Sequence, residues 1–239
     1  MILGARVMNE VYRKEHKYLI STTTFFECKA ALSHILQEDS HTKKYGFYEV
    51  RSLYFDSIDD RDYVEKLDGV EIRRKIRLRN YGADSTFALL EMKQKQGDYQ
   101  KKRSLRLEKS DALELISGNY TVLLKYNTPF ALECYSIMNM YCYRPATVVS
   151  YKRRAFLAKE NKIRITFDYD ICATESSFNI FSDLNQFPVL DPYASVLEVK
   201  YNGFLPSYIK DVINSHIHTQ VSVSKYCLAR KISKHYVFI

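Results

Sequence analysis

The segment EIRRKIRLRN at residues 71–80 places five cations in ten positions. In an extended strand the side chains alternate between faces. Lys75, Arg77 and Arg79 therefore share one face, while Ile72, Ile76 and Leu78 take the other. A row of such groups either looks at water or holds an anion. Arg offers a planar fork for phosphate oxygens and Lys a compact point charge, so the anion it suits is a phosphoryl group or a chain of them.

The same alternation recurs along the chain. In KIRITFDYD, Arg164, Thr166 and Asp168 oppose Ile163, Ile165, Phe167 and Tyr169. In SVLEVKY, Glu198 and Lys200 oppose Leu197, Val199 and Tyr201. In TFALLEMKQK, Glu91, Lys93 and Lys95 oppose Ala88, Leu90 and Met92, and in KKRSLRLE, Lys102 and Ser104 oppose Leu105 and Leu107. Arg13, Glu15 and Lys17 share a parity near the start, though less cleanly. A solvated face normally mixes small polar residues and both signs of charge. Here Arg and Lys recur and the acids stand singly. Like charges opposite each other across strands are destabilising, so the pattern needs an anion, or apolar faces packed outward against helices. A barrel of about eight strands would provide both, with a charged lumen and helices outside. Such a lumen favours phosphoryl transfer, which needs positioning and charge neutralisation. A divalent metal bridging phosphates would need carboxylates among the cations. Glu198 is the first candidate, followed by Glu15, Glu91 and Asp168, each with a salt bridge as its alternative role.

These faces require the following elements. A strand over Val11–Ile20 leads into a helix, where Thr24 and Glu27 form a candidate capping box and Phe25, Cys28, Leu32, Ile35 and Leu36 form an apolar stripe. Strands follow at Glu49–Asp56, Val70–Tyr81, Phe87–Lys95 and Lys101–Glu108, with a helix at Ser57–Leu67 and a capped helix at Ser110–Ile116. Thr128-Pro129 opens another helix, because Pro suits the first helical position. Strands at Pro145–Ala158, Lys162–Asp170 and Ser195–Tyr201 precede helices at Pro206–His216 and Ser222–Ile232. About eight mostly consecutive, hence antiparallel, strands with helices between them predict an α+β fold. With 7 Gly, 5 Pro and no linker or repeat, residues 1–239 read as a single domain.

Composition narrows the partner. At 46% hydrophobic and 27% charged, the chain has ample material for a core, and a net charge of +8 points to a polyanion. The five cysteines are scattered without metal or disulfide spacing, which places the chain in a reducing cytosol. Neither a signal-peptide run nor a membrane-length apolar stretch is evident. HExxH, GxSxG, GxxxxGK and GxGxxG are absent, removing support for zinc-hydrolase, triad, P-loop and Rossmann readings. A Tyr-rich basic chain can bind single-stranded nucleic acid. Most of the 20 Tyr, however, fall on apolar parities or helices, so packing is their role and no nucleic acid is expected.

With the strands placed, the sequence resembles the polyphosphate polymerase (vacuolar transporter chaperone, VTC) domain, a branch of the CYTH-like triphosphate tunnel enzymes. YRKEHKYLI is similar to the family's R-x-E/T-x-K-Y opening, and SLYFD is the next stretch. KIRLR, LLEMK, KKRS, SYKRRAF, KIRITFD, YASVLEVKY and SVSKY resemble the following motifs in order. The resemblance implies a charged tunnel in which Arg77, Arg79, Lys93, Arg153, Arg164 and Lys200 act on phosphate, with Arg13, Lys17, Lys102 and Lys225 as further phosphate ligands. It implies Glu198 as metal ligand, with Mn²⁺ or Mg²⁺ as cofactor, and ATP and polyphosphate or triphosphate as ligands. The activity implied is ATP-dependent polyphosphate synthesis; a metal-dependent triphosphatase and a non-catalytic polyphosphate-binding module are the alternatives. Arg13 stands where the related triphosphatases and cyclases carry an acid, which favours the polymerase branch. Ser222 stands where polymerases often carry a lysine, which predicts one cation fewer at the tunnel mouth. No regulatory SPX domain or membrane segment is recognised, so export of product would require a separate membrane partner.

Overall fold

The computed structural model describes residues 14–43, 45–97, 99–217 and 220–234. Arg13 and the start of the expected first strand lie outside them. The first half of the chain gives β1 (Lys14–Ser21), α1 (Thr22–Ile35), a two-residue β2 (Gln37–Glu38), α2 (Ser40–Lys43), β3 (Tyr48–Asp56) and α3 (Arg61–Leu67). A meander follows of β4 (Ile72–Asn80), β5 (Phe87–Gln96) and β6 (Tyr99–Glu108), then α4 (Lys109–Ile116) and α5 (Pro129–Met140). The remainder comprises β7 (Arg144–Ala158), β8 (Ile163–Thr174), a short β9 (Phe187–Pro188), β10 (Ala194–Tyr201), α6 (Ser207–His216) and α7 (Lys225–Lys234). The fold is α+β, as the strand pattern predicts.

All strands join one antiparallel sheet in the order β1-β10-β8-β7-β3-β4-β5-β6, with β2 on β7 and β9 on β8. The eight-strand path matches the expected strand number, but the sheet does not close into a barrel. The free edge of β1 is taken instead by the segment before α7. Tyr18 bridges Gln220 there, and the Val221 N–H donates to the Lys17 carbonyl at 2.8 Å. Closure is therefore by side chains: Lys93 of β5 reaches Glu15 of β1 at 3.0 Å. The result is an open, strongly curled sheet.

Its convex face is apolar. Leu53, Phe55, Ile76, Leu78, Leu90 and Met92 pack with Leu115 of α4 and with Phe130, Cys134 and Met138 of α5. Ile165, Phe167, Leu197 and Val199 pack with Cys28 and Leu32 of α1 and with Ile209 and Ile213 of α6. Both clusters use the hydrophobic parity of their strands, which forces the charged parity inward. The third cluster lies on the concave face. Tyr54, Tyr151 and Val196 meet Tyr226, Cys227 and Ala229 of α7 there, so this helix covers part of the hollow.

Four helix starts differ from the sequence reading; α4 begins at Lys109, and Glu108 at its cap makes no side-chain hydrogen bond, so the expected capped start does not form. In α1 the cap is Ser21, whose hydroxyl accepts from the Thr24 N–H at 3.2 Å, so the Thr24–Glu27 box does not form. Helix α3 begins at Arg61 because Asp60 takes a left-handed conformation (φ 54°) and ends the preceding turn. Helix α7 begins at Lys225, since the residues before it are engaged with β1. Thr128 and Pro129 start α5 as expected, with the Thr128 hydroxyl accepting from the Ala131 N–H.

Candidate active site

Strand register turns the sequence alternation into a continuous inner surface. Across β1, β10 and β8 the pairs are Glu15 with Lys200, Lys17 with Glu198, Glu198 with Thr166 and Lys200 with Arg164. Arg153 then faces Asp168 across β7 and β8. On the other side Tyr54 faces Arg77, Ser52 faces Arg79, Arg77 faces Glu91, and Lys93 faces both Lys75 and Lys102. Of the residues nominated from sequence, every described one lies on this surface or at its rim, and Lys225 enters it from α7.

The carboxylates are gripped by cations. Glu91 is 2% exposed and receives Arg77 Nε at 2.7 Å and Nη2 at 2.6 Å, together with Lys102 and, at 3.8 Å, Arg79. Burial alone would raise its pKa, but these cations hold it well below the ordinary carboxylate range. Glu198 receives Lys200 at 2.6 Å, Lys17 at 3.4 Å and Arg153 at 3.7 Å. It too is held low against burial, chiefly by Lys200 and Lys17. Glu15 itself pairs with Lys17 and Lys93, both at 3.0 Å. Asp168 takes Arg153 through both oxygens and Lys225 at 2.6 Å.

Arg164 sits at the rim, where Asp39 at 2.8 Å and the Tyr48 hydroxyl at 2.9 Å engage it. Arg79 is 7% exposed and donates to the Ser52 and Tyr151 hydroxyls, both at 3.3 Å. Tyr54 accepts from Arg77 at 3.2 Å; Arg77 and Arg79 together outweigh burial and lower its phenol pKa. The sequence reading missed Asp39, Tyr48, Tyr54 and Tyr151 as site residues. The tyrosines stood on the inward parity of β3 and β7, a legible signal; Asp39 lies in a connection that carries none.

Ten cations (Lys17, Lys75, Arg77, Arg79, Lys93, Lys102, Arg153, Arg164, Lys200 and Lys225) thus face five carboxylates (Glu15, Asp39, Glu91, Asp168 and Glu198). Burying that imbalance is costly without a polyvalent anion. The four nominated metal ligands are not one cluster. Among the described residues no three His, Cys, Asp or Glu side chains are grouped to hold a metal ion. Glu15 and Glu198 adjoin, Asp168 is committed to Arg153 and Lys225, and Glu91 to Arg77 and Lys102. Two carboxylates suit a small divalent cation that takes its other ligands from phosphate and water, and do not by themselves make a protein metal cage.

A curled antiparallel sheet with helices on its convex side and charge within defines the fold class, and solved structures share it. A candidate adenylate cyclase from Bacillus halodurans superposes with a TM-score of 0.52 at 13% identity, over 95% of this chain and all of that one. A candidate adenylyl cyclase from Hippeastrum, described as having a dominant triphosphatase activity, gives 0.56 at 12% identity, over 91% of this chain and 94% of its own. The chain belongs to the VTC domain family, whose profile matches residues 12–234. No curated protein matches it in sequence. No helix among the described residues is long and apolar enough to cross a membrane.

Proposed function

We propose that this protein is an ATP-dependent polyphosphate polymerase working on the concave face. The observation that carries this reading is the excess of cations over carboxylates on one continuous surface, which suits a chain of phosphoryl groups. Arg77, Arg79 and Arg153 present guanidinium forks to phosphate oxygens, and Lys93, Lys102, Lys200 and Lys225 supply point charges around them. The resident carboxylates act as placeholders. Glu91 and Asp168 keep the arginines extended and oriented until phosphate arrives, so little reorganisation accompanies binding.

In the transfer, a terminal phosphate oxygen attacks the γ-phosphorus of ATP, the bond from γ-phosphorus to the bridging oxygen breaks, and ADP leaves with that electron pair. The attacking oxygen is already anionic, so no general base is needed. The surrounding cations neutralise charge on the transferring group and hold donor and acceptor in line. Glu198, with Glu15, would hold Mn²⁺ or Mg²⁺, which would supply further neutralisation of phosphate charge.

The hydrolytic alternative is favoured by one observation, the fold shared with the Hippeastrum protein. Incubation with ATP and Mn²⁺ followed by gel electrophoresis separates the readings. A phosphate ladder that disappears in Glu198→Gln is the expected result. Orthophosphate release without a ladder would instead identify a triphosphatase, and tight tripolyphosphate binding without turnover a binding module. Glu198→Gln should also bind tripolyphosphate more tightly than the parent protein in metal-free buffer, because it removes a negative charge facing Lys17 and Lys200.

A further inference from the structure

The inner cationic row continues past the residues already assigned. On β4 the same parity runs Arg79, Arg77, Lys75, Arg73, a span of six residues or about 20 Å, longer than three phosphoryl groups cover. Cross-strand register sets Lys75 against Lys93 and Arg73 against Lys95, two successive like-charged pairs. Directly opposed like charges destabilise a sheet. Lys93 is answered by Glu15. Among the described residues no carboxylate pairs with Arg73, Lys75 or Lys95.

Helix α3 adds a fourth cation. Lys66 donates to the Ser222 hydroxyl at 3.2 Å, and two residues on the Ser224 hydroxyl receives Lys75 at 2.8 Å. Lys66 thus occupies the place where the sequence reading expects a missing charge at Ser222. Segment 220–224 is itself pinned to β1, through the Val221 N–H and through Lys17 Nζ donating to the Val223 carbonyl at 3.3 Å. Lys66 and Lys75 therefore meet the segment that leads into α7, and Arg73 and Lys95 lie close enough to act on the charge of Lys66. Burial lowers the ammonium pKa of Lys66, and Arg73, Lys95 and Lys17 lower it further; burial likewise lowers that of Lys75. Cys227, and for Lys75 also Tyr54, oppose that lowering, and among the described residues no carboxylate pairs with these cations.

We propose that Lys66, Arg73, Lys75 and Lys95 form a distal anion subsite that takes the phosphoryl groups of a linear polyphosphate beyond the third. This subsite rests on the polymerase reading of the central site and gives it a preference for long chains. Its ligand is recognised by repeated, closely spaced negative charge, which a triphosphate is too short to present at both places.

The test is calorimetric titration of tripolyphosphate and of a medium-chain polyphosphate into the parent protein, Lys66→Gln, Lys95→Gln and Ser222→Lys, without ATP. Lys66 and Lys95 are half-buried and among the described residues pair with no carboxylate, so both substitutions leave the fold intact, as thermal melts will verify. The expected result is that each Gln variant binds the long chain about fivefold more weakly, with the salt slope reduced by about one, as for a lost lysine–phosphate contact. Tripolyphosphate affinity stays unchanged, and Ser222→Lys tightens the long chain alone. Equal weakening of both ligands, no weakening of either, or the same loss for a single-stranded oligonucleotide of matched charge would overturn the subsite. A missing phosphate ladder with chain-length-dependent binding intact would remove the polymerase reading and leave the subsite standing.

Discussion

Arg153 clasps Asp168 through both ends of its fork, Nε to Oδ1 at 2.6 Å and Nη2 to Oδ2 at 2.7 Å. The two are register partners on β7 and β8, and the Asp168 side chain is fully buried. Burial would raise the carboxyl pKa, yet Arg153 and Lys225 bring it down to about 2. This pair joins the central strands to α7, since Lys225 is the first residue of that helix.

Breaking the clasp on one side leaves a charge in the interior. Arg153→Met leaves Asp168 to Lys225 and is expected to lower unfolding stability by about 3 kcal/mol, the lower end of the usual penalty for removing one partner of a buried pair. The double variant Arg153→Met with Asp168→Asn should recover part of that loss, because the buried carboxylate charge is gone, although Lys225 then gives up its carboxylate partner. Urea denaturation of the three proteins checks this; a double variant no better than the single would show that the lost stability lies in guanidinium packing.

Lys102 gives the site a pH response near neutrality. Burial lowers its ammonium pKa, Arg77 and Arg79 push it further down, and Glu91 opposes them, leaving it at about 8. A lysine with a depressed pKa is charged below that value and neutral above it. Metal-free tripolyphosphate binding should weaken several-fold, roughly three- to tenfold, between pH 7 and 9. Lys102→Arg, which stays charged throughout, should flatten that fall. An identical pH profile in the two proteins would place the titration elsewhere.

The strand faces were the most legible part of this chain, because alternation is a local property and both clusters on the convex side demand it. Arg77, Glu91, Glu198 and Lys200 could be assigned to one surface from parity alone. Closure was not legible: whether β1 meets β6 depends on the competing segment at Gln220, nearly the whole chain away in sequence. The Arg164–Asp39 contact and the Lys66–Ser222 contact were hidden for the same reason. A lysine on a short helix carries no signal of the loop it will touch. Helix starts were displaced wherever a competing partner held the cap, as Ser21 does for α1.

The support behind α7 contains a second titratable centre, and its sign is opposite to that of Asp168. Asp56 is buried at the end of β3, accepts from the Asp62 and Tyr63 N–H groups at 2.8 and 3.0 Å, and receives the Tyr226 hydroxyl. Asp62, 1% exposed, accepts from the Tyr143 hydroxyl at 2.8 Å through Oδ1, while its Oδ2 finds no partner among the described residues. Burial, then the charge of Asp56, raise the Asp62 pKa from 3.8 to about 8. The folded protein therefore keeps a proton that the unfolded chain gives up above pH 4. Where the native state binds more protons, stability falls as pH rises. This contribution is undiminished below the unfolded value, declines from about pH 4 to about pH 8, and is constant beyond. Asp62→Asn removes the titration while keeping an oxygen for Tyr143. Its advantage over the parent should grow from pH 5 to pH 8, reaching at least about 1 kcal/mol. Urea midpoints at four pH values across that range measure it, and an advantage that stays flat or shrinks would mean that Asp62 is ionised in the folded protein.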